Sequence, residues 1–199
     1  MPPHRTPWFQ LQRLTRWSGR EPRGLFWPWV ACVMVANMIA GMIVGIPMFL
    51  GIARNMAAFA EANPDRTTVT AGPGYYSMQI DGPVPPTLML EPMRWFIPGV
   101  AIVTLFSLLL LAASVVRRLH DSGRPGWVGL LPVPFLGIGL IAFWLVFDQF
   151  GQRDMVPDTG AFLLLFGNNV VYLTTLAVLV VQLCRPSDPG PNRFGPPLD

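Results

Sequence analysis

The chain has no lysine: all fourteen basic side chains among its 199 residues are arginine. That excludes any mechanism built on a Schiff-base or general-base lysine. Charge of either sign is scarce, at 13% of residues, against about 25% in soluble domains. There are two cysteines, Cys32 and Cys184, each inside or at the end of an apolar run, so neither reads as half of an extracytoplasmic disulfide. The two histidines, His4 and His120, stand in no Cys/His spacing that suits zinc. Internal repeats and low-complexity tracts are absent.

What is present in excess is apolar sequence, 52% of residues, which places the chain in the membrane class. A span needs about 20 apolar residues. Four segments meet that length: Phe26 to Ile52, Phe96 to Val116, Trp127 to Phe147 and Ala161 to Cys184. Gly129, Pro132, Pro134, Gly137 and Gly139 interrupt the third. Proline removes a backbone donor and kinks a helix, and in lipid the freed carbonyls need partners in the protein. The third segment is therefore expected to be broken near Leu131 to Gly137, either spanning or re-entrant. The basic leader before the first segment is followed by a run too long for a signal peptide, without a small-residue cleavage site, so no cleavage is expected.

Arginine asymmetry sets the orientation. Arg5, Arg13, Arg16, Arg20, Arg23, Arg117, Arg118, Arg124, Arg185 and Arg193 fall on one side of the four-span arrangement. The other side has Arg54, Arg66, Arg94 and Arg153 and collects Glu61, Asp65, Asp81, Glu91, Asp148, Asp154 and Asp158. The positive-inside rule then puts both termini in the cytoplasm. The expected organisation is a cytoplasmic tail over 1–24, a membrane domain over 25–184 and a second cytoplasmic tail over 185–199. Within the domain lie an extracytoplasmic loop at 53–93 and a cytoplasmic hinge at 117–126. The loop is rich in proline and glycine and too small to be a domain, with room for a short hairpin around Gly72-Pro73-Gly74.

The hinge, Arg117-Arg118-Leu119-His120-Asp121-Ser122-Gly123-Arg124, is the densest polar stretch between apolar runs. Cationic side chains suit a helix C-terminus at headgroup depth. Gly123 suits a left-handed cap, Pro125 stops the helix, and Trp127 sits where indole prefers the interface. That purely architectural reading is complete in itself. It leaves open anion binding, protein docking and, least supported, acid–base work by His120 oriented by Asp121. Asp121 among arginines forms charge-assisted pairs; Arg20 or Arg193 could reach it and staple both tails to the hinge. Asn37, Thr104, Ser107, Asn168 and Asn169 are candidates for interhelical hydrogen bonds or for the lining of a pathway. A charged residue at mid-membrane, usual in coupled transporters, is lacking. Gly41 and Gly45 form a lone GxxxG match, and the methionines from Met34 to Met48 read as adaptable packing.

Three polar motifs fall at the arginine-rich ends of the segments: Gly19, Arg20, Arg23, Phe26 and Trp27 leading in; Arg117 to Asp121 with Gly123, Arg124, Gly126 and Trp127 at the hinge; and Gly190, Asn192, Arg193, Phe194, Gly195 and Pro196 in the tail. Together they resemble the DUF805 family of small bacterial inner-membrane proteins. The hinge is followed by about sixty residues before the tail, longer than in many members. The resemblance implies a multi-pass inner-membrane location and supplies no activity.

The expected fold is an all-α integral membrane bundle of about four helices, the third broken by proline and glycine. The expected function is structural or interactive, without catalytic, metal or cofactor residues. Its candidate site is a cytoplasmic face of Arg20, Arg23, Arg117, Arg118, His120, Asp121, Arg124, Asn192 and Arg193, which would engage anionic lipid headgroups or a partner. Partners in view are membrane lipids, a second copy or another membrane protein, and not nucleic acid. The alternative is a small transporter or channel subunit with a polar path touching Asn37 and Asn169.

Overall fold

The structure is a computed structural model that describes residues 7–150 and 159–197. His4, Arg5, Arg153, Asp154 and Asp158 lie outside the described residues. The elements in order are α1 (Pro7–Leu11), α2 (Arg23–Ala62), β1 (Thr67–Gly72), β2 (Tyr75–Ile80), α3 (Thr87–Asp121), α4 (Val133–Phe150) and α5 (Thr159–Leu183). Four stretches are long and apolar enough to cross a membrane: α2, α3, Gly126–Phe147 and α5. The fold is an all-α, four-span membrane architecture with one short hairpin outside it.

The third span breaks at Leu131 and Pro132, between a 3-10 turn over Gly126–Leu130 and the start of α4. The break is confined to the front of the expected stretch. Pro134 falls in the first turn of α4, where a missing backbone donor costs nothing, and Gly137 and Gly139 continue as helix. Asn168 on α5 donates to the Phe135 carbonyl at 2.9 Å, tying α5 to the opening of α4.

Helix continues into the 53–93 connector from both sides: α2 runs on to Ala62 and α3 begins at Thr87. No proline intervenes between Pro47 and Pro64, so Met56, Phe59 and Ala60 extend the helix. At about 1.5 Å per residue a 40-residue helix reaches roughly 60 Å, twice the ~30 Å of a hydrocarbon core. The long helices therefore project past the bilayer and carry the β1–β2 hairpin, paired from Thr67↔Ile80 to Gly72↔Tyr75. Arg66 closes its base, donating from Nε to the Asp81 carbonyl at 3.0 Å and from Nη2 to the Pro83 carbonyl at 2.9 Å.

Inside the membrane α2 packs on α3. Asn37 on α2 donates to Ser107 Oγ on α3 at 3.0 Å, and Trp29 Nε1 donates to the Leu110 carbonyl at 3.1 Å. Side chains of one helix fill the space beside glycines of the other: Val44 lies against Gly99 and Pro92 against Gly51. Of the GxxxG pair, Gly45 is buried against Phe96 of α3, while Gly41 meets nothing across this interface. The buried core gathers at the opposite, arginine-rich end of the helices, where Phe26, Leu119, Leu179 and Leu183 pack together.

Candidate functional site

Directly beside that core, α3 ends. The Gly123 amide donates to the His120 carbonyl at 3.1 Å and the Arg124 amide to the Leu119 carbonyl at 2.8 Å. This is the Schellman pattern, and it needs a left-handed residue, supplied by Gly123 at φ 70°. The stop leaves Arg117, Arg118 and Asp121 in the last turns of α3, and all three are buried, as are Arg20 and Glu21 of the N-terminal segment.

These five charged side chains form two clusters. In the first, Asp121 takes both oxygens to arginine: Oδ1 accepts from Arg20 Nε at 3.0 Å and Oδ2 from Arg118 Nη1 at 2.6 Å. Ser187 also donates to Oδ2. Arg20 reaches the carbonyls of Asp188 at 2.5 Å, Gly190 at 2.7 Å and Asp121 at 3.2 Å. Arg118 donates from Nε to the Leu183 carbonyl at 2.9 Å and from Nη2 to the Arg185 carbonyl. Two cations and one anion leave a formal excess of +1. The compensation is the end of α5: Leu183 is its last residue, and a helix C-terminus carries orphan carbonyls and roughly half a negative charge.

The second cluster is neutral. Glu21 Oε2 accepts from Arg117 Nε at 2.8 Å, and Oε1 accepts from Ser114 Oγ at 2.5 Å and Gln10 Nε2 at 2.8 Å. Arg117 also donates to Gln10 Oε1 at 3.0 Å and to the carbonyls of Arg13 at 2.9 Å and Arg16 at 2.6 Å. The Glu21 amide donates to the Arg117 carbonyl at 3.1 Å, so side chain and backbone dock together. Arg13 lies at the edge of this cluster over the Phe9 ring. Burial, then the neighbouring Arg117 charge, lower its pKa from the usual arginine value.

The C-terminal tail forms the outer clamp. Asn192 and Gly195 bond to each other across a tight turn, with Gly195 at φ 118°. Asn192 accepts from the Phe194 amide at 2.9 Å and donates to the His120 carbonyl at 2.9 Å. Phe194 stacks flat on the His120 ring, with centroids 3.8 Å apart and planes 6° from parallel. His120 Nδ1 faces the Gly19 carbonyl at 3.3 Å.

The nine residues grouped by sequence are thus brought to one end of the molecule and divided there. Arg20, Arg117, Arg118 and Asp121 are buried and committed to internal partners, so they are not a face that lipid or a partner can touch. His120 and Asn192 are half-buried in the clamp. Arg23 and Arg193 are exposed and Arg124 is half-buried. Of the two candidate staples, Arg20 holds Asp121; Arg193 lies over Phe194, with a long 3.5 Å contact to the Gly123 carbonyl. Sequence reasoning missed Glu21, Gln10, Ser114 and Ser187 as partners. Glu21 carried a usable signal, as the lone acid in the leading arginine-rich motif. Among the described residues no group of three or more His, Cys, Asp or Glu is placed to hold a metal ion.

The profile of a family described as "Protein of unknown function (DUF805)" matches residues 14–196, a range that includes all three polar motifs and both clusters' charged members. No curated protein and no solved structure matches the chain.

Proposed function

The chain belongs to the DUF805 family, and from that premise we propose a non-enzymatic structural and interaction protein of the bacterial inner membrane. Both termini and the hinge lie in the cytoplasm in this reading, and the arginine-rich end engages anionic lipid headgroups. The observation that carries it is the division of the arginines. The clusters consume Arg20, Arg117 and Arg118 internally, while Arg16, Arg23, Arg185 and Arg193 are exposed around them and Arg124 is half-buried. These five have no ion-pair partner among the described residues. A residual basic rim on a rigid internal support is suited to a negatively charged surface, worth about 1 kcal/mol per arginine near such a membrane.

A pathway would use Asn37 and Asn169, but both side chains are exposed on the helix surfaces, and Asn37 is bonded to Ser107. An acid–base site would need open space at His120 and Asp121; Asp121 is enclosed by two arginines and His120 is covered by Phe194. Neither observation favours a second reading.

The test is native mass spectrometry of the full chain from nanodiscs of phosphatidylglycerol or phosphatidylcholine, for wild type and Arg124→Glu/Arg193→Glu. Selective retention of phosphatidylglycerol, lost in the variant while its thermal stability holds, is the expected result. Equal retention of both lipids in both proteins refutes the headgroup reading. The orientation is checked with cysteine at Thr70 and a membrane-impermeant maleimide, which is expected to label intact cells from outside.

A further inference from the structure

Between α3 and α5, just beneath the clusters, lies a cleft of about 440 Å³ with almost wholly apolar walls. That volume is within the ~300–1,000 Å³ range of ligand pockets. The two helices meet at the Leu119–Leu179–Leu183 core. Away from it they are separated by this cleft, walled by Leu108 and Ala112 of α3, by Tyr172 and Leu176 of α5, and by the Gly126–Leu130 turn with the start of α4. Trp17 and Trp27 line its arginine-rich end. We propose that the cleft holds one acyl chain of an anionic phospholipid, whose phosphate is met by the free arginines at the cleft's end; the choice of an anionic lipid rests on the headgroup reading above.

Two placements support the pairing of chain and charge. Arg23 and Trp27 are four residues apart on α2 and so share a helix face, putting an exposed guanidinium one turn beyond a wall residue. Arg23 Nη1 is 3.5 Å from the Cys184 carbonyl, next to the wall residue Leu183, so it stands where α2 and α5 close the cleft. Arg16, adjacent to Trp17, is likewise exposed and without an ion pair among the described residues. A tryptophan collar at headgroup depth above an apolar slot, with cations beyond it, matches the order of a phospholipid from chain to phosphate. Charge also selects against a second copy as the occupant. Docking another chain's arginine-rich end here would oppose like charges, each costing attraction rather than adding it.

The test uses the full chain in liposomes containing phosphatidylglycerol with a diazirine in one acyl chain, and in parallel the phosphatidylcholine analogue. Cross-linked residues are mapped by mass spectrometry for wild type, for Ala112→Trp and Leu176→Phe, which fill the cleft, and for Arg23→Gln. Phosphatidylglycerol is expected to label the cleft walls severalfold above the exposed Met34 and Val181. Filling either wall is expected to abolish that excess, and Arg23→Gln to reduce it severalfold. Strong wall labelling by both lipids alike, unchanged in Arg23→Gln, removes the headgroup reading and with it the anionic lipid. Labelling no higher in the cleft than on Met34 overturns the cleft itself, whatever the headgroup result. A cross-link from the cleft to a second copy assigns it to an interface and overturns the proposal too.

Discussion

The arginine-rich end of the helices and their membrane spans are held by different physics. At the arginine-rich end, five charged side chains are buried and every one has an ion pair. Along the spans, only 6–17% of the most apolar stretch of each helix is buried, and ion pairs are absent there among the described residues. The contrast follows from the solvent. Lipid tails are as apolar as leucine, so apolar helix surfaces gain little by meeting each other, and association needs close packing or polar bonds. Here the polar bonds are concentrated where three separated segments converge: residues 10–21, the end of α3 and the tail after α5. The helices are gathered at one end by ion pairs and hydrogen bonds, and elsewhere lie against one another loosely enough to leave a cleft.

Removing the anion from the first cluster should break that contrast most severely. Asp121→Ala strands Arg20 and Arg118 in a buried site, where loss of one partner typically costs about 3–5 kcal/mol. The expected outcome is a protein that extracts poorly in mild detergent, with a melting midpoint far below wild type. A wild-type melt for Asp121→Ala would mean the cluster is not what joins the tails to the hinge. Glu21→Gln should come next. It keeps the size and an acceptor toward Ser114 and Gln10, but it turns an amide NH2 toward the Arg117 donors and removes the charge that pairs with them, so the loss should be about 3 kcal/mol, the lower end for breaking a buried pair. The clusters share backbone, since Arg20 precedes Glu21 and Arg117 precedes Arg118. Their double variant is therefore expected to depart from additivity.

How much of this was legible beforehand depends on what geometry hides. Four spans followed from apolar run length. The helix stop at Gly123 followed from glycine's access to φ > 0, and Asp121 pairing with either Arg20 or Arg193 from placing three arginine-rich motifs on one side of a membrane; the structure selects Arg20. The division into two clusters did not follow. Arg117 and Arg118 are neighbours in sequence but point about 100° apart on the helix, so one faces the N-terminal segment and the other the end of α5. Read as a string they look like one basic patch, which is why the expected open arginine face turned out to be two enclosed sites and a rim. Ser114 is one turn before Arg117 and so on its face, yet it sits at the end of an apolar run, where nothing in the sequence sets it apart. Gln10 belongs to a five-residue helix too short to show a period. The β1–β2 hairpin, by contrast, was readable from its Pro-Gly turn, because turn chemistry is local.

A smaller effect should come from the cap. Gly123→Ala places a side chain at φ 70° and a Cβ 2.8 Å from Asp188 Oδ2. The left-handed conformation alone costs roughly 1–2 kcal/mol for a residue with a Cβ. Asp188 must also shift, and its backbone is bonded to both Asp121 and Arg20. The melting midpoint should fall measurably but less than for Glu21→Gln, and the tail should become more sensitive to protease. If the midpoint drops while the tail stays protected, the cap matters to α3 alone and does not hold the clamp.

The smallest effect tests the other side of the comparison. Asn37→Leu removes the most direct side-chain bond between α2 and α3 within the spans, the 3.0 Å contact to Ser107. Asn37 is on exposed helix surface and Ser107 is half-buried, and Ser107 retains its own bond to the Val103 carbonyl at 2.9 Å. Interhelical hydrogen bonds of this kind average about 0.6 kcal/mol, because a polar side chain in the unfolded, membrane-inserted chain also finds partners. The loss should be near that value, and Asn37→Leu/Ser107→Ala should cost little more than either change alone. A loss as large as that of Asp121→Ala would overturn the comparison itself. It would mean that a mid-membrane bond carries as much as a buried ion-pair cluster, and that the spans are joined along their length rather than gathered at one end.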